Sequence, residues 1–246
     1  MIVMKSSPAV YGIMVTGKDE QRIAYARLIG LKNFEMQTYT NKHLIIVNHG
    51  TKPVLTHQVS NVYELMVDKT NFTLGDLRNL ALQLVPLNAI WYVHDDDDFR
   101  SANYIEFMVS NLLKNKAIAV FLKNRMEYNL ANGYTFKSGF AYGNTHIMCI
   151  KLERLQYMSK DTLEDTRLQT DIQSFKKKYV SIDNDPKMYV RVIHQNNTSP
   201  FAHDSRADIV KYNPSSYYQE YEATDDEKAY VKSIIAQHYK FFSYTK

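Results

Sequence analysis

"IWYVHDDDDFRS", residues 90–101, sets four consecutive aspartates close behind four large apolar residues. An apolar run bounded this sharply reads as a strand buried on both faces, as in the middle of a parallel sheet. The acidic run then lies at the carboxyl end of that strand. Two carboxylates about 4 Å apart repel by about 1 kcal/mol even in water, and by more near an interior. Four in a row therefore need solvent, a cation, or both.

The flanking sequence places this strand in a βαβαβ series. "VYGIMVT" (10–16) and "HLIIVN" (43–48) read as strands, with an amphipathic helix, "DEQRIAYARLIGL", between them. Thr73 caps a helix over "LGDLRNLALQLV", with Leu74, Leu77, Leu80 and Leu84 marking its buried face. Ser101 opens a further helix, and "AIAVFL" (117–122) is the next strand. The alternation predicts an α/β sandwich: a mixed, mostly parallel sheet covered by helices, with right-handed crossovers. Further on, Asn132-Gly133 signals a hairpin between "RMEYNL" and "YTFK". A helix is expected from near Leu163 to "SFKKKY", and "MYVRVIH" (188–194) is a strand ending in a histidine. Thr224 and Glu227 form a capping box for a last helix, whose apolar face runs through Tyr230, Val231, Ile234, Ile235, His238, Tyr239 and Phe242. That face predicts docking on the body or on a partner chain, so an oligomer through this helix is one expectation.

Composition narrows the class. The chain has 246 residues, 45% of them hydrophobic, enough for one substantial core. Its net charge of +4 is too small to diagnose nucleic-acid binding, although it permits a nucleic-acid or other acidic partner. One cysteine, Cys149, excludes a disulfide framework and a cysteine-rich zinc site, and its place in "IMCI" reads as a buried, inert thiol. There is no signal-peptide h-region and no apolar run long enough to span a membrane, so a soluble cytoplasmic protein is expected. The compact length and the Lys/Asn/Tyr-rich composition suggest a small viral, phage or bacterial enzyme.

In open α/β sheets, ligands bind beyond the carboxyl ends of the strands. In near-extended geometry Asp95 and Asp97 share one face, while Asp96 and Asp98 share the other. An Asp-x-Asp pair is thus available to a divalent cation. Mg²⁺ or Mn²⁺ typically takes one or two protein carboxylates and completes its shell with substrate phosphates. The alternative is a solvated loop whose last acid favours the next helix's N-terminus, a role that suits Asp98.

"VHDDDDF", taken with "LGDLRNLAL" (74–82), "DTLEDTRLQTDI" (161–172) and "YVRVIHQNNTS" (189–199), resembles in order and spacing the nucleotide-sugar glycosyltransferases of the GT-A fold, family 2 in particular. The resemblance covers about residues 10–200. It implies one domain over 1–246: a nucleotide-binding half to about 100, an acceptor and catalytic half to about 200, and a C-terminal extension bearing the last helix. Thr16 and Asn48 would border the nucleobase, and Arg78, with Asp76 beside it, would reach the base or diphosphate. Asp95 and Asp96 would hold the ribose. Asp97 and His194 would hold Mn²⁺ or Mg²⁺, with His203 as a second candidate. Gly139 and Gly143 would let backbone approach the donor sugar. Asp165 would be the base that deprotonates the acceptor hydroxyl, with Glu164 as substrate contact or fallback base. The competing reading makes Thr162 and Asp165 a capping box.

The implied activity is metal-dependent transfer from a UDP-sugar to a glycan or other hydroxyl-bearing acceptor, with inversion. Two alternatives stay open. One is a nucleotidyltransferase acting on a sugar phosphate, for which "VTGKDEQR" (15–22) offers only a thin phosphate loop. The other is a non-catalytic nucleotide-sugar-binding module.

Overall fold

The structure, a computed structural model, describes residues 7–68, 71–138, 147–162, 164–175, 178–184, 188–194, 197 and 220–238. A seven-stranded sheet forms its centre. Its strands are β1 (Val10–Thr16), β2 (Lys42–Asn48), β3 (Val62–Met66), β4 (Ile90–Val93), β6 (Ala119–Lys123), β9 (Ile147–Ile150) and β10 (Tyr179–Asp183), in the order β10-β6-β9-β4-β1-β2-β3. Only β9 runs antiparallel to its neighbours. The "IWYV" strand is thus parallel to β1 on one side and antiparallel to β9 on the other, within the mixed, mostly parallel sheet that was expected.

Strand alternation sends successive residues into opposite layers. Ile13, Ile45 and Val47 pack beneath α2 (Leu74–Leu84) and α4 (Asp165–Ser174), against Leu77, Ala81, Leu168 and Ile172. Met14, Leu44 and Ile46 face α1 (residues 20–35) on the other side. Helix α1 starts at Glu20–Tyr25, passes through a π-helical stretch, Ala26–Leu31, and finishes at Lys32–Glu35. Tyr92, Val120 and Met148 pack on α3 (Tyr104–Lys114) through Ile105, Met108 and Leu112. This is the expected α/β sandwich.

The buried face of α2 differs from the leucine reading. It runs through Leu77, Arg78, Ala81 and Leu82, while Leu84 is exposed. Leu84, seven residues beyond Leu77, lies near the same side, but it is the last residue of the helix and is left exposed. Helix α3 begins at Tyr104 with Asn103 as its cap, because Phe99–Arg100 forms a short strand, β5, before the chain turns.

Strand β5 belongs to a second sheet. With β7 (Arg125–Asn129), β8 (Thr135–Ser138), β11 (Tyr189–Ile193) and β12 (Glu220–Glu222) it has the order β12-β8-β7-β11-β5. The Asn132-Gly133 hairpin joins β7 to β8, with Gly133 at φ 71°. Thr224 and Glu227 form the expected box at the start of α5 (Asp225–His238): Thr224 N–H donates to Glu227 Oε2 at 2.7 Å. Val231 and Ile234 bury against Tyr25, Phe99, Val190 and Val192, so α5 docks on the body, while Tyr239 and Phe242 lie outside the described residues. No helix among the described residues is long and apolar enough to cross a membrane.

The joint between α2 and the segment before α4 needs glycine. A Cβ on Gly75 would lie 1.7 Å from the Met158 carbonyl oxygen. That partner is backbone, so relief requires the helix and loop to separate. Gly75→Ala is expected to cost about 2–3 kcal/mol, the upper range for overpacking, read from urea unfolding. A loss under about 1 kcal/mol would mean that the joint yields easily.

Candidate active site

Four aspartates leave β4, and a bend at Asp96–Asp97 breaks the expected alternation of faces. Asp96 and Asp97 lie side by side on one cation, and Asp95 and Asp98 diverge to either side of them. The two-and-two grouping is therefore replaced by three environments.

The central environment holds Asp96 and Asp97. Arg22, in the first turn of α1, places one guanidinium nitrogen on Asp96 and the other on Asp97. Thr16, the last residue of β1, has its hydroxyl 2.7 Å from Asp96 Oδ2 and 3.1 Å from the Arg22 carbonyl. Asp97 Oδ2 lies 2.9 Å from His194 Nε2 and accepts from Asn197 Nδ2 at 3.2 Å. Burial pushes the Asp96 carboxyl upward, with Arg22 opposing. Burial works the same way on Asp97, but Arg22 and His194 together outweigh it and hold that carboxyl well below the usual range.

Strand pairing brings His194 here. Strand β5 lies antiparallel to β11 with Val190 opposite Phe99, so the chain beyond β11 runs back past the aspartates. Asn197 accepts from His194 N–H at 2.6 Å through its side-chain oxygen. The Tyr25 ring meets the imidazole edge-on at 5.0 Å.

Asp98 fastens the two sheets together. It accepts from Tyr189 Oη and, at 2.9 Å, from Val192 N–H. It faces β11 and is buried, so it does not serve the N-terminus of α3 as the solvated-loop reading supposed. Burial and the neighbouring Asp97 and Asp95 charges push its carboxyl up to about 7.

Asp95 opens onto a third environment. Its Oδ1 is 3.3 Å from one Arg78 nitrogen, and the other Arg78 nitrogen pairs with Glu164. Arg100 approaches Asp95 Oδ2 at 3.7 Å; it donates to the Val93 carbonyl at 2.9 Å and lies 5.0 Å from the centre of the Tyr189 ring. Burial pushes the Glu164 carboxyl upward, with Arg78 opposing. Asp165 follows as the first residue of α4, only partly buried. The proposed box at Thr162 is not formed: Glu164 is the N-cap, in helical conformation and with no side-chain cap bond.

Two further residues expected beside the nucleotide make local hydrogen bonds. Asp76 closes the capping box of α2, accepting from Thr73 N–H at 2.9 Å, and also accepts from Ser159 Oγ at 2.9 Å. Asn48 is fully buried and shapes the loop after β2. It donates to Lys52 O at 2.9 Å and Glu64 Oε1 at 2.7 Å, and accepts from Gly50 N–H at 2.8 Å. Gly139, Gly143 and His203 lie outside the described residues. Cys149 is a buried free thiol, as expected.

Arg22, Arg100, Asn197 and Glu64 were not foreseen. "GKDEQR" carried a signal for the first: Asp19 caps α1, which fixes Arg22 in the first turn facing the strand ends. Gly30 completes the setting. Its carbonyl faces His94 Nε2 at 2.8 Å, and a Cβ there would lie 3.1 Å from Asp96 Cα, so the π-helical stretch of α1 packs directly on the acidic loop. Burial and the nearby Arg100 charge push His94 down to about 3, so it stays neutral.

No protein-family model matches the chain, and no curated protein matches it in sequence. Solved structures do match in fold. The mannosyltransferase PcManGT from Pyrobaculum calidifontis, in complex with GDP-Man and Mn²⁺, superposes with a TM-score of 0.57 at 14% identity, over 79% of this chain and 59% of that one. S. aureus TarS 1–349 in complex with UDP-GlcNAc gives a TM-score of 0.56 at 11% identity, over 82% of this chain and 64% of that one. S. aureus TarS gives 0.56 at 12% identity, over 95% of this chain and 44% of that one. The chain thus spans less than two thirds of the length of the structures it matches. What it shares with them is the architecture: a mixed α/β, GT-A-like glycosyltransferase fold.

Proposed function

We propose that the chain is a metal-dependent glycosyltransferase that moves a sugar from a nucleoside-diphosphate sugar, a UDP-sugar by preference, to an acceptor hydroxyl with inversion. The observation that carries this reading is the pairing of Asp97 and His194 at the carboxyl end of β4, within a GT-A-like fold. Asp97 Oδ2 and His194 Nε2 are 2.9 Å apart. Adjacent ligands on an octahedral ion with bonds of about 2.1 Å are about 3 Å apart, so the two atoms fit one Mn²⁺ or Mg²⁺. Among the described residues no third His, Cys, Asp or Glu completes a cluster; donor oxygens and water would fill further positions. The imidazole would take the tautomer with its proton on Nδ1.

A bound cation would supply charge for the leaving diphosphate. The chain's own residues do the rest. On this reading Thr16 and the loop shaped by Asn48 and Glu64 would border the nucleoside, and Asp95 and Asp96 would hold the ribose. Arg78 presents a fixed cation toward the donor. The acceptor oxygen bonds to the anomeric carbon as the bond from that carbon to the phosphate oxygen breaks. Asp165 takes the acceptor's proton, and the displaced oxygen leaves on the nucleoside diphosphate.

The test is calorimetric titration with UDP, with and without Mn²⁺, on the natural chain and on Asp97→Ala. Mn²⁺-dependent UDP binding, lost in the variant, is the expected result. Equal UDP binding by both chains would remove Asp97 from the site. No binding of UDP, GDP or dTDP under any condition would overturn the donor reading.

A further inference from the structure

We propose that Arg22 is a built-in counter-ion for Asp96 and Asp97, which a divalent cation must displace before it binds Asp97. The inference rests on the metal-site reading above and adds to it a competing residue on the chain itself.

The guanidinium bridges two different carboxylates, one through each terminal nitrogen. Its partner oxygen on Asp97 is Oδ2, the same atom that faces His194 Nε2. A divalent ion held by that oxygen and that nitrogen would stand within a few ångströms of the guanidinium. Two cations so close, with one shared oxygen between them, repel strongly in a site this dry. The ion and the guanidinium therefore occupy Asp97 in turn.

The surroundings allow the exchange. Asp96 is wholly buried, whereas 14% of the Arg22 side chain is open to solvent, so Arg22 stands at the solvent side of the pair. The backbone stays fixed, because Arg22 N–H donates to the Asp19 cap at 2.8 Å. Thr16 retains Asp96 at 2.7 Å when Arg22 leaves. The freed fork matches phosphate oxygens as well as it matches carboxylates. Metal alone must then pull Arg22 off with no compensation, while metal arriving with a diphosphate gives it a new partner. Nucleotide and metal binding become positively coupled through this side chain.

Electron paramagnetic resonance of free Mn²⁺ reads the binding directly, with and without UDP, on the natural chain, Arg22→Gln, Arg22→Lys and Asp97→Asn. If Arg22 holds Asp97 in nine molecules of ten or more, Arg22→Gln binds Mn²⁺ alone at least about tenfold more tightly, and the gain from adding UDP shrinks. Arg22→Lys keeps the charge and loses the fork, so it falls between the two; it carries the test should Arg22→Gln fail to fold. A folded Arg22→Gln, or in its absence Arg22→Lys, that binds Mn²⁺ no more tightly than the natural chain overturns the inference. If Asp97→Asn still abolishes binding in that case, the metal-site reading survives. If no chain binds Mn²⁺ even with UDP, both fall together.

Discussion

Replacing Arg78 by methionine is expected to cost about 3–5 kcal/mol of folding stability at neutral pH, the range for removing one partner of a buried ion pair. Arg78 and Glu164 are each 8% exposed at the side chain and pair directly, and Arg78 also reaches Asp95 at 3.3 Å. Without the guanidinium, Glu164 is left as a buried charge with its compensation gone. The double variant Arg78→Met/Glu164→Gln removes that charge, so it should recover much of the loss, and the coupling between the two sites is read from a double-mutant cycle. The pH dependence has a definite sign. Burial already raises Glu164 in the folded chain, and losing Arg78 raises it further. A carboxyl raised in the folded state favours folding in its protonated form and loses that advantage as pH rises through its folded value. The deficit of Arg78→Met should therefore shrink on acidification and be largest at neutral pH and above. Urea unfolding across pH measures it. A deficit under about 1 kcal/mol, or one independent of pH, would show that water reaches Glu164 freely.

That ion pair also marks how far the sequence could be read. "VYGIMVT", "HLIIVN" and "IWYV" become strands because a buried central strand writes itself as a continuous apolar run. The caps at Thr73 and Thr224 are equally legible, since a capping box is a local pattern four residues long. Strands such as Phe99–Arg100 and Glu220–Glu222 leave no periodic signal in two or three residues; they exist through pairing with distant partners. The site follows the same division. Asp95, Asp96 and Asp97 stand out because clustered like charge is costly and asks for a reason. The directions they point do not, because a bend at Asp96–Asp97 overrides the extended alternation. Arg22 contacts residues 74 and 75 positions away, and Asn197 reaches Asp97 across 100. No local pattern encodes either contact.

Asp165→Asn is expected to lower the rate of sugar transfer by about 10²–10⁴-fold, the contribution of a positioned general base. The argument turns on what its neighbour is doing. Glu164 is committed to Arg78, so its basic oxygen is held by a cation. Asp165 begins α4, is only partly buried, and lies close enough to Arg78 to feel its charge. Its replacement removes a negative charge from a helix start, worth about 0.3–1 kcal/mol, so the variant should fold and bind Mn²⁺ and UDP as the natural chain does. Glu164→Gln should behave in the opposite way, losing stability through the broken pair before losing chemistry. The two variants are compared in a transfer assay over a panel of UDP-sugars, with unfolding and UDP binding measured on the same preparations. A stable Asp165→Asn that retains full turnover, beside a folded Glu164→Gln that has none, assigns the base to Glu164. Arg78 would then be the group that releases that carboxylate when donor arrives.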